Sequence, residues 1–247
     1  MSPERFIVRV RHLDTRLGTR RWEWAERNAA VIAEHWAKRL AEKPRMFNGR
    51  ILIVGEHLLD GDVFRAAYLE TDFANLLAWR DLGFPDGTVV NGFAMAALQG
   101  SDRAYVMGVM GGHTANAGKV YFPAGTPDSA DVRPDRTVDL AGSVARELLE
   151  ETGLDAARFC TADEWIVVRH GPRIAFLRPM RALEPADAVA EHIERHLRDD
   201  PDPELSGVRV VRGLCDVDEG AMPDFLQDFL HWSFSGGEAA TRGAVGG

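Results

Sequence analysis

Apolar positions along this chain recur with two different periods. Phe6-Ile7-Val8-Arg9-Val10-Arg11 alternates apolar and polar, which predicts a half-buried strand. Trp22 to Ala41 carries Ala, Glu, Arg and Trp at helical spacing and predicts one long amphipathic helix, ended before Pro44. Arg50 to Val54 and Val63 to Leu69 read as two strands around the turn Asp60-Gly61-Asp62, and Asp72 to Trp79 as a short helix. Pro85-Asp86-Gly87 is a break, and we place a boundary there. Beyond it, Gly92 to Leu98 and Ala104 to Met110 form a hairpin over Gln99 to Asp102. Gly111 to Gly118 is a glycine-rich loop and Lys119 to Phe122 a short strand. Glu164 to Val168 and Arg173 to Met180 form a second hairpin around Gly171-Pro172. Ala186 to Arg198 is a helix stopped by Pro201-Asp202-Pro203, Val208 to Val211 a strand, and Asp224 to Trp232 a last helix. Residues 236–247 are rich in Gly and Ala and read as a disordered tail.

One segment departs from these ordinary patterns. Arg146-Glu147-Leu148-Leu149-Glu150-Glu151-Thr152-Gly153-Leu154 packs three carboxylates and a guanidinium into six residues. On a helix, residues three and four apart are neighbours, so Glu147, Glu150 and Glu151 share a flank. Ala141, Val144, Ala145 and Leu148 make an adjoining apolar flank that can enter a core. Asp139 stands where an N-cap belongs, and Gly153 where a helix closes on a left-handed residue. An acidic solvated face would normally interleave lysines among the glutamates, and this one does not. A divalent cation explains the crowding, because hard ions such as magnesium take carboxylate oxygens and share them with substrate phosphates.

The segment resembles the second half of the Nudix box, Arg-Glu-aliphatic-any-Glu-Glu-any-Gly-aliphatic, at every specified position. The first half of that motif is glycine, five residues, glutamate, then seven residues to the arginine. Here Val138 occupies the glutamate position eight residues before Arg146, and Gly125 best matches the glycine, which implies an insertion across Thr126 to Thr137. The resemblance implies an α/β fold, a Nudix α/β/α sandwich with a mixed sheet, over residues 87–235. Residues 1–86 would then be a smaller α+β extension. It also implies water attack on one phosphorus of a nucleoside diphosphate linked to another group, with magnesium, or manganese in its place, as cofactor. Glu147, Glu150 and Glu151 would hold the metal, Arg146 would position Glu147, and Glu147 would ligate or act as base. Glu191, Glu194 and Glu204 are further candidates for the base, with Glu204, just before a strand, the first choice.

Two shorter resemblances bear on substrate. Gly118 to Gly125 is similar to the segment before the box in coenzyme A-type Nudix pyrophosphatases, although their penultimate glycine is Ala124 here. Met46-Phe47-Asn48-Gly49 and Tyr68 to Phe73 resemble the extension of the Nudix branch that cleaves uridine diphosphate sugars. A nucleotide sugar or related diphosphate is therefore the expected substrate, with a coenzyme A-type pyrophosphatase or a non-catalytic nucleotide sensor as alternatives. His113, Thr114, Asn116, Lys119 and Phe122 are candidate substrate contacts, with the neighbouring glycines opening backbone N–H groups to an anion. The tryptophans Trp22, Trp24, Trp36 and Trp79 read as core.

Composition narrows the partners. The 247 residues carry a net charge of −9, and the cationic clusters are short and mixed, so polymeric nucleic acid is not an expected ligand. No apolar run reaches membrane-spanning length and no secretory signal is visible, which predicts a cytoplasmic protein without a membrane partner. The two cysteines, Cys160 and Cys215, lack metal spacing and read as small core residues. The extension is expected to cover the active cleft or build a homodimer interface.

Overall fold

The computed structural model describes residues 4–237, so most of the expected tail, 238–247, lies outside the described residues. In chain order the elements are β1 (Arg5–Val10), β2 (His12–Leu17), α1 (Glu23–Arg27), α2 (Ala29–Glu42), β3 (Arg50–Asp60), β4 (Val63–Asp72), α3 (Phe73–Asp81), β5 (Asn91–Gln99), β6 (Tyr105–Met110), β7 (Val120–Tyr121) and β8 (Ala124–Gly125). They continue with α4 (Leu140–Thr152), β9 (Cys160–Thr161), β10 (Trp165–His170), β11 (Arg173–Arg181), α5 (Ala186–Asp199), β12 (Leu205–Val211) and α6 (Asp224–Phe234).

The large sheet runs β1-β10-β11-β5-β6-β12, with the short strands β7, β8 and β9 added to β6, β5 and β11. It is mixed, because β5 and β11 are parallel while β10–β11 and β6–β12 are antiparallel. Side chains alternate between its faces. Met95, Ala97 and Leu177 point to one face, where Phe225, Leu226, Phe229 and Leu230 of α6 cover them. Ala94, Ala96, Leu98 and Phe176 point to the other, against Val144 and Leu148 of α4 and Val189 and Ile193 of α5. Each of the larger side chains among these contributes about 1.5–3 kcal/mol on burial. The result is an α/β/α sandwich around a mixed sheet.

A second sheet, β2-β4-β3, lies against the same face as α4, sending Leu52, Val54, Phe64 and Tyr68 into that core. Its opposite face carries Ile51, Ile53 and Leu69, covered by α1, α2 and α3 through Trp22, Ile32 and Trp79. Residues 1–86 are thus divided between both sheets: β1 is the edge strand of the large one, in register with β10 from Arg5 opposite His170 to Val10 opposite Trp165. At the break, the Asp86 carboxylate accepts from Trp22 Nε1 (2.7 Å) and its carbonyl from Trp79 Nε1 (2.9 Å), so this turn is tied to the helices.

Several expectations need correction. The helix expected over Trp22 to Ala41 is two helices, interrupted at Asn28, whose side-chain amide donates to the Trp24 carbonyl (2.8 Å) and competes with the helical ladder. Strand β2 was not expected; only Leu13 and Leu17 are apolar in it, too few for a clear alternation. Both cysteines are exposed, not core. Phe122, a candidate substrate contact, is fully buried between Tyr105 and Phe229, because the strand period turns it under the sheet towards α6.

Candidate active site

Helix α4 is set at both ends by its own sequence. The Asp139 carboxylate accepts from the Gly142 N–H (3.0 Å), and Gly153 closes the helix at φ 69°. Val144 and Leu148 are buried in the core, which fixes the rotation of the helix and turns Glu147 and Glu151 inward under β8. The Ala124 N–H of β8 donates to Glu151 Oε1 (3.3 Å). A Cβ at Gly125 would stand 2.3 Å from Glu147 Oε1, so only glycine lets the box strand lie this close to the helix.

Arg146 is the hub. Its Nη1 donates to Glu147 Oε1 (2.7 Å), and its Nη2 donates to both oxygens of Asp131 (3.1 Å each). Glu150, with 60% of its side chain exposed, stands 3.6 Å from the same guanidinium. Asp131 is itself buried at the end of a single 3₁₀ turn, Ser129–Asp131, in which Asp128 and Asp131 cap each other.

Asp131 was missed in the sequence, and it corrects the reading of Val138. Five residues separate Gly125 from Asp131, the spacing of the first half of the box, with Asp in the place of Glu. The insertion is therefore not across Thr126 to Thr137 but over residues 132–138. There the chain makes a small excursion, turning at Arg136 (φ 67°), and returns so that the Asp139 N–H donates to the Asp131 carbonyl (2.7 Å). Arg146 lies fifteen positions after Asp131; without those seven residues it would lie eight after it, the box spacing. Val138 is a core residue, 1% exposed. The spacing from Gly125 was the available signal.

The carboxylates perturb one another. Burial pushes Glu151 up to about 9, reinforced by Glu204, against the pull of the Ala124 N–H. Burial also carries Glu147 to about 7, with Arg146 opposing and Glu150 and Glu204 adding to the rise. Glu204, on the loop before β12, is raised by burial and by Glu150, with His113 opposing. Its carbonyl accepts from the Gly111 N–H (2.8 Å), which ties the base candidate to the loop carrying His113. Glu191 and Glu194 are exposed on α5.

A divalent cation fits this donor set. Glu151 Oε2 is buried without a hydrogen-bond partner, and burial, with the neighbouring carboxylates, makes Glu151 and Glu147 resist ionisation, a penalty that a bound cation would offset. As the side chains stand, no three acidic, His or Cys groups among the described residues form a closed cage, so a cation would be shared with substrate oxygens.

The candidate substrate contacts separate. Asn116 accepts from Arg80 Nη1 (3.1 Å) and donates to the Tyr121 hydroxyl (3.1 Å). Lys119 Nζ donates to the Gly220 carbonyl (3.0 Å). Both line a cavity that reaches Ala124 and Gly125. Thr114 is turned into its own loop, with its hydroxyl on the Gly111 carbonyl (2.9 Å) and its carbonyl held by Lys43.

A loop–helix with Arg146 between two carboxylates sits at the edge of a mixed sheet sandwiched by helices. This arrangement resembles the Nudix box to which the sequence was likened. No family model and no curated protein matches the chain. Among solved structures, a Nudix hydrolase from M. smegmatis, RenU, overlaps 62% of this chain and 90% of its own at 17% identity (TM-score 0.38). A MutT protein from Methanosarcina mazei overlaps 59% and 93% at 16% (0.33), and a pyrophosphohydrolase from Bacillus subtilis 51% and 64% at 13% (0.27). The box geometry, not these overlaps, carries the reading that follows.

Proposed function

We propose that this chain is a Nudix hydrolase that cleaves a nucleoside diphosphate joined to a further group, a nucleotide sugar or a related diphosphate, with magnesium. The observation that carries the proposal is Arg146 held between Asp131 and Glu147 while Glu151 is buried beside them with an oxygen unpartnered. Glu147, Glu150 and Glu151 hold the metal, which neutralises the phosphoryl oxygens and acidifies water when bound. Arg146 fixes the Glu147 carboxylate by a charged hydrogen bond. Glu204 accepts the proton of the attacking water, with His113 beside it to steady the carboxylate. Products are a nucleoside monophosphate and a phosphorylated partner. Asp131 supports an enzyme over a nucleotide sensor, because it supplies the first-half carboxylate of the box that Val138 does not.

Incubation with a panel of nucleoside diphosphate derivatives in oxygen-18 water tests this reading. One label should enter a phosphate of one product. Glu151→Gln should weaken magnesium binding by calorimetry while the fold persists. Label on carbon, or unchanged magnesium affinity in the variant, would overturn it.

A further inference from the structure

A cavity of about 360 Å³ extends away from the box along β5. Its near end is Ala124 and Gly125, and its sides include Phe93 and Phe225, packed edge to face 5.3 Å apart. Its far end is cationic. Arg173, the first residue of β11, stacks its guanidinium 5.1 Å over the Phe84 ring, and that guanidinium makes no hydrogen bond or ion pair among the described residues. Arg80, on α3, lines the same end, with Nε on Asp81 (3.1 Å) and Nη1 on Asn116, leaving Nη2. Burial, then the nearness of Arg80, depresses the Arg173 guanidinium, with Asp224, which lines the same cavity, opposing. Two cations held together in a partly buried wall, one of them unpaired, repel each other unless an anion lies between them.

Position separates this end from the phosphoryl chemistry. Box residues Gly125 and Ala124 pair with Ala94 and Met95, whereas Arg173 pairs with Asn91. Three to four residues along β5 amount to roughly 10–13 Å at about 3.3 Å per residue. A group touching Arg173 is therefore joined to the scissile diphosphate through an intervening moiety, which the aromatic walls can flank.

We propose that Arg173 and Arg80 form a distal anion subsite, so that the preferred substrate carries a further phosphate or carboxylate on one of the two groups joined by its diphosphate. The inference rests on the hydrolase reading above and names the substrate class of that site. The apolar middle and charged end make selection a matter of one substituent, because an unpaired buried guanidinium is left behind when the neutral analogue binds.

Two matched pairs test it: uridine diphosphate glucose against the glucuronate, and dephospho-coenzyme A against coenzyme A. The first pair isolates a carboxylate and the second a phosphate. In at least one pair the charged member should win by about tenfold or more in kcat/KM and in calorimetric affinity. Arg173→Gln should bring that ratio close to one, and Arg80→Gln serves as second variant should the first not fold. No preference in either pair, or a ratio that survives both substitutions, overturns the subsite. Turnover without preference defeats the subsite alone. Absence of turnover with every diphosphate defeats the hydrolase reading, and the binding ratio then still judges the subsite.

Discussion

Arg146 reaches Asp131 because the chain between them leaves the box and comes back. That return can be interrogated side chain by side chain. Asp131→Asn removes the charge that holds one edge of the guanidinium, and turnover should fall about 10–100-fold. Asp131→Glu, which restores the residue type of the family pattern, should recover part of the loss; if it recovers none while both variants melt like the parent, Asp131 does not position Arg146. Gly125→Ala presses a methyl group against Glu147 and should cost roughly 10²-fold in kcat with little change in melting temperature. Phe122→Ala, by contrast, is a core truncation and should cost about 3–5 kcal/mol in denaturant unfolding. The sequence made the second half of the box readable because four charged residues and a glycine at fixed offsets have few other uses. It hid Asp131, because counting backwards from Arg146 runs into the seven extra residues first. Phe122 and the exposed cysteines were misjudged for a common reason: residue type alone does not say which face of a short strand or turn a side chain takes.

At the scale of the element, the cap and closing glycine of α4 stand where the local sequence placed them, while of the expected apolar flank Val144 and Leu148 are buried and Ala141 is exposed. The cap carries a pH signature. Burial pushes the Asp139 carboxyl up, but the Gly142 N–H and Arg133 pull it further down, so the folded-state value lies below the ordinary one. The stabilisation is therefore complete above the unfolded value near 3.9 and fades as pH falls through the folded value. Asp139→Ala should cost roughly 1 kcal/mol at pH 7. The deficit should shrink in unfolding titrations carried below about pH 4; a deficit constant across that range would mean the loss is packing, not capping. The break at Asn28 was illegible because a helix-length run of good formers masks a single side chain that prefers a carbonyl one turn back. Strand β2 was illegible because it is defined by its parallel partner β4 and not by its own pattern.

The whole molecule is less divisible than the turn at Pro85-Asp86-Gly87 suggests. Deleting residues 1–86 takes β1 from the edge of β10 and uncovers the core facing β3 and β4, so the remainder should be insoluble or bind hydrophobic dye strongly. A soluble, monodisperse 87–247 fragment that turns over substrate would refute this dependence. The sandwich itself was readable from the order of strands and helices once the box was found. The layering of a second sheet beneath it was not, since periodicity shows that a strand has a buried face but not what buries it.

The excursion over residues 132–138 binds these scales together. Thr15 and Val138 exchange hydrogen bonds, with the Val138 N–H on the Thr15 carbonyl (2.9 Å) and the Thr15 hydroxyl on the Val138 carbonyl (2.7 Å). Arg136 clasps the carbonyls of Leu17 and Gly18 (3.0 and 2.9 Å). Seven extra residues beside the box would ordinarily be a liability, and here the strand β2 ties them down at both Thr15 and Leu17. The excursion and the small sheet thus hold each other: a relative lacking β2 should have the uninterrupted box, and one retaining the longer box should carry a strand in the place of β2.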